Sequence, residues 1–94
     1  MHLLPDITAR IDQEFQPSDV PVAIAVLAGA LREDGRPADA RLQRCALVAA
    51  RGSLEKLRHY VGLIAVDYRD VIVAGEYDRK DGQLIQVRHL DGSF

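Results

Sequence analysis

The sequence predicts an all-α fold: a four-helix up-down bundle with a long fourth helix and a short extended C-terminal tail. Three observations carry that expectation. Apolar residues recur at helical three- and four-residue spacing through most of the chain. Turn-forming clusters at Gln16-Pro17-Ser18, Asp34-Gly35-Arg36-Pro37, Arg51-Gly52-Ser53 and Lys80-Asp81-Gly82 cut it into four periodic segments and a tail. The 94 residues, 48% of them apolar, suffice for one hydrophobic core and leave no room for a second domain, so 1–94 reads as a single helical domain.

The first segment runs from about Pro5 to Phe15. Proline suits a first helical position, Asp6 lies at the positive end of the helix dipole, and Leu4, Ile7, Ile11 and Phe15 form one stripe. The second runs from about Asp19 to Arg32, with Ser18 or Asp19 as cap and Gly35 as stop. Its β-branched run Val20 to Val26 also suits a strand, but Val20, Ile24, Leu27 and Leu31 keep helical spacing among alanines. The third runs from Pro37 or Ala38 to Arg51. Ala38, Leu42, Cys45, Ala46 and Ala49 share its inner face, and their small size lets another helix approach closely.

Ser53 caps the fourth segment, and Leu54, Leu57, Val61, Ile64, Tyr68, Val71 and Gly75 follow alternating 3,4 spacing. Continued to Tyr77, the helix would be a rod of roughly 37 Å. An alternative reading is α+β, with a C-terminal β-hairpin at about 71–90. Val71-Ile72-Val73 is β-prone, Asp81-Gly82 is a turn pair, and Leu84 to Leu90 would supply the returning strand.

Composition narrows the functional classes. A formal charge of −2 argues against a generally basic, nucleic-acid-binding surface. One cysteine excludes an intramolecular disulfide and suits a reducing compartment. No apolar run reaches membrane-spanning length, and Met1 to Asp6 has no basic stretch before an apolar one, so the expectation is a cytoplasmic chain without membrane association.

Motifs for chemistry are sparse. The histidines His2, His59 and His89 and the lone Cys45 form no zinc or calcium spacing, and no glycine-rich phosphate loop is present. No metal, cofactor or catalytic residue is therefore expected, and Cys45 reads as core filler. The one acidic site to weigh is His59, Asp67 and Asp70, which share a stripe on a straight helix. The competing reading of that stripe is a solvated face.

Charge is unevenly spread. The first 35 residues carry two arginines against six acids, whereas residues 36–58 carry six basic groups against two acids. The sequence thus suggests that Arg41, Arg44 and Arg51 meet Asp12, Glu14 or Asp19, of the same or a partner subunit. A helix-turn-helix reading of Arg51-Gly52-Ser53 fails on spacing, because Val48 and Arg58 occupy its small and apolar positions.

Two resemblances add little. Leu47-Val48-Ala49-Ala50-Arg51-Gly52-Ser53-Leu54-Glu55-Lys56-Leu57 resembles part of an ankyrin-type helix pair, which implies an antiparallel pair here. Asp67-Tyr68-Arg69-Asp70-Val71-Ile72-Val73-Ala74 resembles a short motif in small uncharacterised bacterial proteins. That implies a bacterial source and no function.

The expected function is a helical protein-interaction module that self-associates as a homodimer, with any other protein partner unspecified. Its interface would be a second stripe on the fourth helix, Gly62, Val66 and Val73, bordered by Arg69. One alternative is a small enzyme or metal-binding protein using Asp67 and Asp70. The other is a nucleic-acid-binding regulator using Arg41, Arg44 and Arg51.

Overall fold

The computed structural model describes residues 3–94. In chain order it contains α1 (Pro5–Glu14), α2 (Val20–Ala28), α3 (Ala40–Ala50), α4 (Leu54–Glu76), β1 (Tyr77–Lys80) and β2 (Gln83–Gln86). The four helices stand as expected, but the all-α expectation is corrected by the hairpin. β1 and β2 pair antiparallel from Tyr77↔Gln86 to Lys80↔Gln83. Asp81 and Gly82 both take positive φ, 52° and 78°, as a two-residue hairpin turn requires. The hairpin is shorter than the 71–90 alternative because Val71 is fully buried on the helical seam. Tertiary burial thereby overrides the β preference of Val71-Ile72-Val73.

In α1, Pro5 opens the helix and the Leu4 carbonyl accepts from the Ile7 and Thr8 N–H groups. Ile7, Ile11 and Phe15 are buried, whereas Leu4 is largely exposed and drops out of the expected stripe. α2 stops at Ala28, short of Arg32: the Ala30 N–H tightens onto the Leu27 carbonyl three residues back, and the chain leaves the helical path. The Asp19 side chain makes no capping bond. Residues 30–38 then pair with themselves, Ala38 N–H to Ala30 O at 3.0 Å and Arg32 N–H to Arg36 O at 2.7 Å. Gly35 serves that loop rather than the helix, and Leu31 is bridged to Pro37 and stays exposed.

α3 is the central element. The Asp39 side chain caps it by accepting from the Leu42 N–H at 2.9 Å, and every residue from Leu42 to Leu47 is buried. α4 starts under the expected cap, Ser53 Oγ accepting from the Lys56 N–H. Leu57, Ile64 and Val71 are fully buried at seven-residue intervals, with Leu54, Val61, Tyr68 and Ile72 packed partly against the same core. The straight rod is corrected. Asp67 has extended backbone (φ −154°, ψ 94°), so α4 is two helical halves, 54–66 and 68–76, meeting at a kink.

α3 and α4 approach closely at Gly75. A Cβ built there would lie 2.6 Å from Cys45 Cα, so only glycine allows this contact. The α3–α4 turn is fixed in the same way against α1. Arg51 takes the left-handed conformation (φ 51°), and a Cβ on Gly52 (φ 78°) would lie 2.4 Å from the Glu14 carbonyl oxygen. After β2 the chain folds back over the end of α4, and Leu90 enters the core.

Candidate interaction surfaces

Glu76, at the end of α4, is the organising polar residue of the interior. It is fully buried. Arg41 donates to both its oxygens, Nη2 to Oε1 at 2.7 Å and Nε to Oε2 at 2.9 Å. Gln86 Nε2 donates to Oε1 at 2.9 Å and the Leu90 N–H to Oε2 at 3.1 Å. The Glu76 carbonyl accepts from the Val87 and Arg88 N–H groups. The Arg41 hydrogen bonds outweigh burial, and with the donors from Leu90 and Gln86 they hold this carboxyl down at about 2. The same pair raises the Arg41 pKa further above its ordinary value. Among the described residues no buried side-chain polar atom lacks a partner.

Arg44 extends this arrangement to α1. It donates to Asp6 at 2.9 Å through Nε and to the Leu90 carbonyl at 3.0 Å through Nη1. Leu90 is therefore held at both its N–H and its C=O. The expected partners Asp12, Glu14 and Asp19 are corrected to Glu76 for Arg41 and Asp6 for Arg44, while Arg51 is exposed. Two of the three arginines assigned to nucleic acid are thus spent on internal pairing. Cys45 is fully buried, as expected of core filler, with Sγ 3.8 Å from Glu76 Oε2. Burial first, and the nearby Glu76 charge second, push its thiol up to about 12.

The structure does not gather His59, Asp67 and Asp70 into one site. Asp67 Oδ1 accepts from the Arg69 N–H at 3.1 Å, which makes Asp67 the internal cap of the second half of α4. Asp70 is exposed, three residues into that half, where its charge suits the dipole. His59 lies with its ring edge-on to Tyr60, centroids 5.0 Å apart. Among the described residues no cluster of three His, Cys, Asp or Glu side chains is placed to hold a metal; His2 lies outside them.

The second stripe of α4 is only partly covered. Val66 is 73% exposed, Gly62 and Arg69 are exposed, and Val73 is half-buried. Nothing lies within 4 Å of where a Gly62 Cβ would stand. The returning chain packs at the far end of α4 and leaves Gly62 and Val66 bare. The hairpin and tail add exposed Leu84, Ile85 and Val87, and no helix among the described residues is long and apolar enough to cross a membrane.

A groove of about 1,040 Å³ opens where α1, the α3–α4 turn, the first half of α4 and the chain around β1 and β2 converge. Arg51, Lys56, His59 and Arg88 line it, and the Arg10–Glu14 ion pair forms one wall. Residue composition at 36–58 foreshadowed Arg51 and Lys56, but no local pattern pointed to Arg88.

No family model matches this chain, and neither a curated protein nor a solved structure shows significant similarity to it.

Proposed function

We propose that the chain is a small helical protein-interaction module that self-associates as a homodimer through the outer face of α4, in a bacterial cytoplasm. The observation supporting this is Val66: the most exposed large apolar side chain described, it stands in the middle of the longest helix beside bare Gly62. Arg58, Gly62 and Val66 follow one another at four-residue intervals in the first half of α4, and all three are exposed. Such rows are the ridges and grooves by which helices interlock.

An antiparallel twofold pairing centred level with Ile64 places Val66 in the gap over the partner's Gly62, and does so twice. The likeness of residues 67–74 to a segment of small bacterial proteins suits this setting and adds no activity.

Light scattering tests the proposal. The unmodified protein is expected at twice the chain mass at micromolar concentration, and Val66→Glu at the monomer mass with unchanged helix content. A monomeric mass for the unmodified protein, or a Val66→Glu dimer, overturns it.

A further inference from the structure

We infer that the groove between α1, the α3–α4 turn and α4 is a binding site for a small polyphosphorylated anion. Its charge runs against that of the chain. Arg10 is neutralised in the wall by Glu14, which leaves Arg51, Lys56 and Arg88 facing Asp78. The local surplus is two positive charges, within a chain of net charge −2. Like charge this concentrated in a concave site attracts multivalent anions more strongly than the same groups spread over a convex surface.

The backbone around these cations is fixed. Arg51 sits in the left-handed conformation, which is uncommon for a side chain of its size, and Gly52 beside it passes so close to the Glu14 carbonyl that no side chain would fit there. Arg88 donates through Nη1 to the Gly75 carbonyl at 3.1 Å. The Lys56 backbone is tied by its N–H to the Ser53 cap. His59 and Tyr60 complete the lining with an aromatic pair.

Chemistry and size narrow the ligand. Two guanidinium groups and an ammonium suit phosphate oxygens, which accept several charge-assisted hydrogen bonds at once. The groove is open to solvent and large enough to admit a small polyanion. The chain as a whole is negative, which disfavours the extended phosphate backbone of a polynucleotide more than a short anion seated among these three groups.

The test is an amide NMR titration of the full chain with sodium tripolyphosphate at low salt. Shifts are expected at residues 51, 56, 59 and 88, with affinity falling as salt rises. Arg51→Glu combined with Lys56→Glu should weaken binding about tenfold or more, an effect of roughly 1.4 kcal/mol or above. Lys56→Glu alone, an exposed change within a helix, gives the same direction if the double variant folds poorly. Val66→Glu should bind like the parent, which separates this site from the dimer. No shifts at millimolar tripolyphosphate, shifts centred elsewhere, or indifference to the charge reversals overturns the inference. So does a single-stranded oligonucleotide that binds more tightly and displaces tripolyphosphate.

Discussion

Arg41 on α3 clasps both carboxylate oxygens of Glu76 at the end of α4, joining a half-exposed guanidinium to a fully buried acid. Removing one member of a buried pair leaves the other charge uncompensated, typically at about 3–5 kcal/mol. Arg41→Ala should fall near the lower figure, since Gln86 and the Leu90 N–H still serve Glu76. Urea unfolding measures the loss; a cost under about 1 kcal/mol, the level of an exposed pair, would contradict this account.

Stability should also depend on acid in a defined window. The Glu76 pKa is lowered from 4.5 to about 2 in the folded chain, so the unfolded state binds its proton first as pH falls. Its contribution is fully present above pH 4.5 and is lost as pH falls through 2. In Glu76→Gln that part of the acid dependence should vanish, which denaturant midpoints across the window would show.

Two glycines of one helix should respond with opposite signs. At Gly75 an added methyl meets Cys45 backbone, so Gly75→Ala should destabilise by about 1–3 kcal/mol or more. At Gly62 the space is open and alanine is the better helix former, so Gly62→Ala should stabilise the monomer by about 0.5–1 kcal/mol. Thermal unfolding at concentrations low enough to hold a monomer reads both. If Gly62 receives the partner's Val66, the same substitution loosens the dimer.

Cys45 should resist thiol reagents in the folded state. Its burial and its pKa of about 12 leave almost no accessible thiolate at neutral pH. Labelling with a disulfide reagent should therefore follow unfolding, and rapid stoichiometric labelling of the native protein would refute this.

The helices were legible because their signals are local. Pro5, Ser53 and the seam Leu57, Ile64 and Val71 act within a turn or two of their own positions. Gly35 misled because a glycine with positive φ ends a helix or turns a loop equally well, and the choice rested on pairing across residues 30–38. At Asp67 a cap signal was present, an acid followed three residues later by Asp70 before an apolar run. A straight helical wheel conceals such a cap, and it made these two acids resemble a site. Glu76 could not be read at all. Its partners stand 35 positions before it and 10 and 14 after it, so nothing in its own neighbourhood marks it as buried.

The double grip on Leu90 also makes the closing of one helix pair depend on a residue outside both helices. Without residues 86–90 the acid lacks its Gln86 and Leu90 donors and Arg44 lacks the Leu90 carbonyl. α3 and α4 can still meet, but the seam around Gly75 then stays open to water at one end. A chain truncated after Arg88 should therefore be cut by protease near the end of α4, where the chain that carries Leu90 resists.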